Sequence, residues 1–255
     1  MIQPVTAAEL LAVMGARQLR DDTTVFAGVG VPLLAAALAQ QRQAPRLTMV
    51  IEGGIIGPRI KPGRLPISTN EMRAGHRAQM LPGITDTFLF AQRGFLDVGF
   101  MGGAQVDQHG NINTTVLGEY ARPKVRLPGT GGANDIASLC REVIVLTAHE
   151  RRRFVERVDF VTSPGWLDGN GSRQRAGLTF GGVTRVVTTL GIFGFDPESR
   201  RMRVEALHPG VTLDAVRVET GFELLAVPDI AVTEPPRPDE LALLRALDPE
   251  RRFLG

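Results

Sequence analysis

Short apolar runs alternate with helix-length segments along the first half of the chain. Apolar runs at 24–27 and 47–51 predict buried strands, and capping signals at Thr6 and Pro32 predict helices before and between them. Strands that are joined by helical crossovers pair in parallel. We therefore expect an α/β fold with an open, mainly parallel sheet and flanking helices.

The hydrophobic pattern weakens between residues 57 and 95 and recovers beyond them. Four prolines interrupt this stretch, and only 88–92 has the pattern of a short helix or strand. The other predicted strands lie at 97–101, 143–147, 158–162, 183–189 and 202–206, and the other predicted helices at 135–140, 212–221 and 239–247. The alternation of strands and helices thus continues through the second half.

Composition and charge exclude several classes of protein. Hydrophobic residues make up 43% of the chain and charged residues 22%, as in ordinary globular proteins, and 29 basic residues nearly balance 27 acidic ones. The one dense basic cluster, Arg151 to Arg153, is flanked by Glu150 and Glu156, which indicates an ion-paired surface rather than a nucleic-acid interface. No apolar run is long enough to span a membrane. We expect a cytoplasmic protein that binds neither nucleic acid nor membrane.

A lone carboxylate follows the second predicted strand. Glu52 comes directly after the apolar run 47–51 and is followed by Gly53 and Gly54. Ligands of parallel sheets gather at the carboxyl ends of the strands, and glycines allow a ligand to approach the backbone closely. A glutamate that caps a helix or forms a salt bridge would also explain this position, so the residues alone leave both interpretations open.

Two glycine-rich turns are further candidates for a binding site. The turn from Gly102 to Gln105 follows a predicted strand and offers its backbone to a phosphate or pantetheine chain, although a plain strand-ending turn has the same sequence. The loop from Gly129 to Gly132 lacks the third glycine of a dinucleotide fingerprint, and no P-loop lysine follows it. It can present free N–H groups at a helix start, the geometry of an oxyanion hole.

Histidines and cysteine add no further chemistry. The four histidines (His76, His109, His149 and His208) are widely spaced, and none has metal-ligand spacing, so we expect structural or surface roles and no metal site. The single cysteine, Cys140, excludes an internal disulfide, and its apolar neighbours favour a buried side chain over a nucleophile.

Taken together, several segments resemble the beta subunits of class I CoA-transferases, in the subgroup of the glutaconate CoA-transferase B subunit and the 3-oxoadipate CoA-transferase beta subunit. The resemblance is carried by the order and spacing of the segments 50–54, 102–107, 110–115, 123–126, 129–134, 149–154 and 161–166. It covers nearly the whole chain and is weakest at 57–95. It implies the subunit fold of that class and a single domain over residues 1–255.

The resemblance also implies roles for individual residues. Glu52 is expected to attack an acyl-CoA and form a glutamyl-CoA thioester, with backbone donors at Gly131 and Gly132 stabilising the oxyanion. Contacts to CoA or to the acid are expected from Gly53, Gly54, Gly102, Gly103, Gln105 and Asn134. Several relatives carry Ser or Asn where this chain has Gly53, so that a side chain beside the nucleophile is missing here. No metal or tightly bound cofactor is expected, because coenzyme A is a substrate.

Finally, the resemblance implies a partner and a class of substrate. We expect an alpha subunit of similar fold, an α2β2 or larger assembly, and an active site between the subunits. The expected substrates are an acyl-CoA and a small dicarboxylic acid such as glutaconate or 3-oxoadipate, whose second carboxylate has candidate partners in Arg59, Arg64, Arg73 and Arg77. Two alternatives stay open: a CoA-thioester hydrolase or decarboxylase on the same fold, and a non-catalytic CoA-binding protein in which Glu52 is structural.

Overall fold

The computed structural model describes residues 4–255 and shows two compact units. The first comprises Met1–Met101 and Pro235–Gly255, and the second comprises Gly102–Glu234. The single domain over 1–255 stays a prediction, because a division into compact units does not say whether they fold independently. None of the helices in residues 4–255 is long and apolar enough to cross a membrane.

The first unit is an α/β structure that contains four short strands and the helices that connect and flank them. Its strands are β1 (Thr24–Phe26), β2 (Thr48–Ile51), β3 (Ile55–Ile56) and β4 (Val98–Met101), in the order β4-β1-β2-β3. Both neighbours of β1 run parallel to it, and β3 folds back antiparallel on β2. Its helices are α1 (Ala7–Ala16), α2 (Val31–Gln41), a 3₁₀ helix (Met72–Gly75), α3 (Ile84–Gln92) and, numbered in chain order, α7 (Pro238–Leu247).

The helices of the first unit begin where the local signals predict. The Thr6 hydroxyl accepts the Glu9 N–H at 3.2 Å, and the Glu9 carboxylate accepts the Thr6 N–H at 2.9 Å, which completes a capping box for α1. Pro32 lies in the first turn of α2, where its missing N–H costs nothing. Residues 33–40 of α2 are all buried, so this helix is the centre of the core of the unit.

The second unit contains ten strands and three helices within the described residues. The strands are β5 (Gln105–Asp107), β6 (Ile112–Asn113), β7 (Val116–Leu117), β8 (Val125–Arg126), β9 (Glu142–Thr147), β10 (Phe154–Val155), β11 (Val183–Thr188), β12 (Gly191–Phe195), β13 (Met202–Leu207) and β14 (Leu225–Val232). The helices are α4 (Ala133–Leu139), α5 (Ser172–Arg175) and α6 (Leu213–Val218). Its larger sheet has the order β14-β13-β12-β11-β9, beside a small sheet β10-β5-β6 and a hairpin β7-β8.

The predicted α/β class, with a mainly parallel sheet and flanking helices, is confirmed. β9 and β11 pair in parallel, as do β13 and β14. The antiparallel pairs that β12 forms with β11 and β13 were not predicted. Only two residues separate β11 from β12, and a connection this short allows only an antiparallel hairpin.

The structure decides two local predictions, for residues 88–92 and 158–162. Residues 88–92 are helical and form the end of α3. The strand predicted near 158–162 is wrong: this stretch is irregular, and the short strand β10 lies before it. The backbone pairs with β6 only at one isolated bridge, between Ile112 and Ser163, so this stretch does not extend the small sheet. Val158 is buried, whereas Phe160 and Val161 are exposed.

A buried arginine holds the loops of the second unit together. The guanidinium of Arg173 donates five hydrogen bonds of 2.8–3.1 Å to four backbone carbonyls, those of Ala137, Pro164, Gly165 and Phe180. The side chain is 1% exposed, and burial lowers the pKa of Arg173 to about 10. Carbonyl dipoles therefore replace the carboxylate that usually accompanies a buried cation.

Candidate functional site

Glu52 is the first residue of a tight hairpin loop. β2 ends at Ile51 and β3 begins at Ile55, so residues 52–54 alone reverse the chain. The Gly54 N–H donates to the Ile51 carbonyl at 3.0 Å, and Gly54 has a φ of +95°, which favours glycine. Glu52 is thus held at the carboxyl end of β2 by a turn whose geometry depends on Gly54.

The Glu52 carboxylate has no structural partner in the part of the chain that the structure describes. Its side chain is half-buried beside a strand whose Met49, Val50 and Ile51 are at most 2% exposed. Among residues 4–255 it forms no hydrogen bond and no ion pair. Neither structural role, a helix cap or a salt bridge, therefore accounts for a carboxylate at this position.

The stretch 69–83 covers this hairpin loop. A Cβ added to Gly53 would lie 2.3 Å from the Thr69 carbonyl oxygen, and one added to Gly54 would lie 1.9 Å from the Pro82 carbonyl oxygen. Both contacts are with backbone atoms, so a side chain at either position requires that the covering segment move. Glycine at position 53 therefore has a packing role beside Glu52, because it allows Thr69 to contact the loop.

The same covering stretch carries several cations. Partial burial, together with the charges of Lys61 and Arg77, lowers the pKa of His76. Arg77 adopts a φ of +55°, a conformation that is uncommon for a residue with a side chain.

The four arginines that were candidates for binding the acid differ in their contacts. Arg73 pairs with Glu71, and Arg59 donates to the Pro45 carbonyl at 2.8 Å. The guanidinium groups of Arg64 and Arg77 have no hydrogen-bond or ion-pair partner among residues 4–255. Of the four, Arg64 and Arg77 therefore have guanidinium groups available for an anion.

The glycine loop before α4 presents two unused backbone donors. The N–H groups of Gly131 and Gly132 donate to no acceptor within residues 4–255, whereas the next two N–H groups, of Ala133 and Asn134, both bond to Thr130. Gly131 is exposed and has a φ of +49°. Two adjacent N–H groups are thus without an acceptor, and their role as donors to an oxyanion stays a prediction.

The turn from Gly102 to Gln105 is more tightly engaged than expected. Gln105 is 7% exposed; its Nε2 donates to Asp159 Oδ2 at 3.1 Å, and its Oε1 accepts from Asn113 Nδ2 at 2.7 Å and from the Asp159 N–H at 3.0 Å. Both ends of the amide are thus used within the protein. A Cβ added to Gly103 would lie 2.3 Å from the Ile112 side chain, while Gly102 is exposed. Contact of these residues with a ligand stays a prediction.

Both glycine-rich turns of the second unit border the same short stretch of chain. The Ala104 N–H donates to the Asn113 carbonyl at 3.0 Å, and the Gly129 N–H donates to the Thr114 carbonyl at 2.8 Å. Asn134 reaches the nearby Thr162 carbonyl at 3.1 Å through its side-chain amide. The structure therefore groups the predicted residues 102–105 with 129–134 in this unit, and Glu52, Gly53 and Gly54 in the other.

Several residues of the recognised motifs have a structural role that their spacing did not reveal. Asp107, Asn111 and Asn113 are at most 4% exposed. Asp107 accepts the N–H groups of His109 and Asn111 at 3.0 Å, and burial raises the pKa of Asp107 despite these bonds. Asn111 in turn accepts the N–H groups of Gly165 and Leu167. These side chains hold the loops around the small sheet.

The histidines and the cysteine are located as expected for structural groups. The His149 ring stacks on Phe154 at 4.0 Å between centroids and contacts the hydroxyls of Thr188 and Thr220, and burial lowers the pKa of His149 to about 4. Cys140 is fully buried and forms no disulfide. Within residues 4–255, no group of three or more His, Cys, Asp or Glu side chains is arranged to hold a metal ion.

Known proteins resemble this chain over most of its length. The family model described as coenzyme A transferase matches residues 8–219. The chain is 39% identical over 241 residues to the B subunit of 3-oxoadipate CoA-transferase from Pseudomonas knackmussii, covering 94% of this chain and 92% of the relative. It is 36% identical over 256 residues to the B subunit of glutaconate CoA-transferase from Acidaminococcus fermentans, covering 98% of this chain and 95% of the relative.

Solved structures show the same fold. The crystal structure of glutaconate coenzyme A-transferase from Acidaminococcus fermentans superposes with a TM-score of 0.90 at 34% identity, over 98% of this chain and 97% of the matched chain. The decarboxylase AibA/AibB superposes with a TM-score of 0.82 at 27% identity, over 98% of each chain. The fold is therefore shared by proteins named for transfer and for decarboxylation.

Proposed function

Since the chain belongs to the coenzyme A transferase family, as the beta subunit of a CoA-transferase, we propose that Glu52 is the nucleophile that takes up CoA from an acyl-CoA. The observation that carries this proposal is the unpartnered carboxylate at the end of β2, held by a hairpin loop that tolerates no neighbouring side chain. A carboxylate that supports no other part of the structure is free to attack.

The reaction proceeds by four substitutions that need no cofactor. The Glu52 carboxylate attacks the thioester carbonyl, and the C–S bond breaks to give a mixed anhydride and CoA thiolate. The thiolate attacks the Glu52 carbonyl of the anhydride, which releases the first acid as its carboxylate and leaves a glutamyl-CoA thioester. An acceptor carboxylate then repeats both steps in reverse order, yielding the new acyl-CoA and free Glu52. Electrons and charge balance at each step, and no net proton transfer is required.

Each substitution passes through a tetrahedral oxyanion that needs hydrogen-bond donors. The free N–H groups of Gly131 and Gly132 are our candidates for these donors. Removing one such donor in other enzymes costs about 3 kcal/mol of transition-state stabilisation.

The names of the relatives support a proposal for the partner and for the acid. Both curated relatives are named as B subunits of their enzymes, so this chain acts together with an alpha subunit, and we propose an α2β2 or larger assembly. We propose a small dicarboxylic acid as acceptor, because the relatives are named for 3-oxoadipate and glutaconate. Arg64 and Arg77, whose guanidinium groups have no partner within residues 4–255, are our candidates for binding its second carboxylate.

The test is the covalent intermediate. The chain and its alpha subunit are mixed with a panel of acyl-CoA thioesters, including succinyl-CoA and glutaconyl-CoA, and intact-mass and peptide mass spectrometry locate bound CoA. We expect CoA attached to Glu52 in the wild type and none in Glu52→Gln. Glu198→Gln is the matched control, since Glu198 is an exposed turn residue of the second unit. No adduct in the wild type, or full transfer activity in Glu52→Gln, would refute the assignment.

Hydrolysis and decarboxylation are distinguished in the same mixtures. Free CoA released without any acceptor acid would indicate a hydrolase, and carbon dioxide released from the acyl group would indicate a decarboxylase, the activity for which AibA/AibB is named. Transfer requires an acceptor and conserves the thioester.

A further inference from the structure

An exposed aromatic pair joins the β7–β8 hairpin of the second unit to the segment that follows β10. Tyr120 is 57% exposed and Phe160 is 36% exposed, and their rings stack with centroids 5.3 Å apart and planes inclined by 24°. Val125 and Val161 beside them are also more than 40% exposed. We call these four residues, together with Arg126, the hairpin platform. Large apolar side chains that are exposed together commonly mark a binding surface.

The hairpin that carries Tyr120 is rich in cations. The Arg126 guanidinium lies 4.9 Å from the centroid of the Tyr120 ring and donates to the Tyr120 carbonyl at 3.3 Å. The stretch 116–127 contains three cations, Arg122, Lys124 and Arg126, and one acid, Glu119. In the described part of the chain, none of these cations pairs with a carboxylate. The cations are therefore available for an anionic ligand.

Hydrogen bonds to Asp159 fix the position of the hairpin platform. The carboxylate of Asp159 accepts the Gly118 N–H at 2.8 Å and the buried Gln105 amide at 3.1 Å, which fixes the hairpin to the segment that carries Phe160. Within the hairpin, the Lys124 N–H donates to the Leu117 carbonyl at 2.8 Å. Because Asp159 is already engaged by these donors, it does not neutralise the nearby arginines by direct pairing.

The hairpin platform is continuous with the glycine loop of the candidate site. Beyond β8, the Leu127 N–H donates to the Thr115 carbonyl at 2.9 Å, and the next paired donor is Gly129. The unused N–H groups of Gly131 and Gly132 follow within a few residues. A ligand with its reactive group at that loop and its other end on the platform would thus lie along one ordered stretch of chain.

These features match the nucleotide end of coenzyme A. Exposed aromatic rings stack on bases, and unpaired arginines bind phosphates with well-oriented hydrogen bonds. Adenine and phosphates lie at the end of CoA opposite to the thioester. We propose that the hairpin platform binds the adenine of CoA, with Arg122, Lys124 and Arg126 contacting its phosphates; this inference rests on the proposed function.

The test uses a ligand that cannot react at Glu52. Isothermal titration calorimetry measures binding of adenosine 3′,5′-bisphosphate, which has the base and phosphates of CoA but no thiol, to the full chain and to its complex with the alpha subunit. For Tyr120→Leu and for Arg126→Gln we expect affinity to fall about tenfold, the usual effect of losing one stacked base contact or one phosphate contact. Binding should also weaken as the salt concentration rises.

Matched substitutions elsewhere control for changes in hydrophobicity and charge. Phe95→Leu removes an exposed aromatic ring from the first unit, and Arg93→Gln removes an exposed arginine there, so neither should alter binding of the bisphosphate. Circular dichroism of Tyr120→Leu and Arg126→Gln confirms that each variant is folded.

A second readout separates this inference from the role of Glu52. In the complex, the platform variants should raise KM for an acyl-CoA and leave KM for the matching acyl-pantetheine unchanged, whether or not an adduct forms at Glu52. Unchanged affinity for the bisphosphate in both platform variants would overturn the inference. Loss of alpha-subunit binding with that affinity retained would also overturn it and would identify the platform as a contact between subunits.

Discussion

Gly53 provides the sharpest test of how the Glu52 hairpin is built. In Gly53→Ala, the new methyl group would lie 2.3 Å from the Thr69 carbonyl oxygen, whereas ordinary contact begins at 3.4 Å. The carbonyl or the hairpin must therefore move by about 1.1 Å, the difference between those distances. Gly53 is not among the glycines with positive φ, so this substitution tests steric packing alone.

The displacement should affect activity more than stability. Overpacking of this kind typically costs 1–3 kcal/mol of folding free energy, and we expect a loss of about 1 kcal/mol because the covering stretch is largely exposed. A shift of about 1 Å in a reacting group can slow its reaction about a hundredfold. We therefore expect formation of the Glu52–CoA adduct to slow by about that factor, with a small decrease in thermal stability.

The assay is single-turnover adduct formation, followed by mass spectrometry in the complex with the alpha subunit, beside thermal unfolding of the chain. Gly75→Ala is the matched control, because a Cβ at Gly75 meets only side-chain atoms, at 3.5 Å or more. Adduct formation at the wild-type rate in Gly53→Ala would refute the idea that the Thr69 contact positions Glu52. Equal slowing in Gly75→Ala would show that the effect is not specific to the hairpin.

Two further predictions concern the second unit. Arg173→Met leaves four backbone carbonyls, three of them in buried residues, without their guanidinium donor. It should lower the free energy of unfolding by about 3 kcal/mol or more, measured in urea, whereas Arg175→Met, which removes one exposed bond to Asn170, should have little effect. Because burial lowers the pKa of His149 to about 4 from 6.5, the unfolded chain binds the proton first, and stability should fall as the pH drops from 6.5 to 4. In His149→Phe, the loss of unfolding free energy between pH 6.5 and pH 4 should be smaller by about 3 kcal/mol. An unchanged pH dependence would contradict the inference that the His149 ring is neutral in the folded protein.

The sequence by itself determined the class of fold and the candidate nucleophile. Capping at Thr6 and Pro32 and the apolar run before Glu52 are local signals, since each depends on residues within one or two turns of the chain. The parallel pairing of β1 with β2 and β4 also follows from these signals, because helical crossovers make paired strands parallel, whereas the order of the strands was not predicted.

Only the tertiary structure decided which segments cover Glu52 and which motif side chains already form hydrogen bonds within the protein. The stretch 57–95, in which four prolines interrupt any regular pattern, covers the hairpin through Thr69 and Pro82. Gln105 could be expected to face a ligand, yet Asp159, more than fifty positions away, engages its amide. Contacts between backbone atoms or amides that are far apart in the chain leave no periodicity in either segment, because irregular loops repeat neither the period of a helix nor that of a strand.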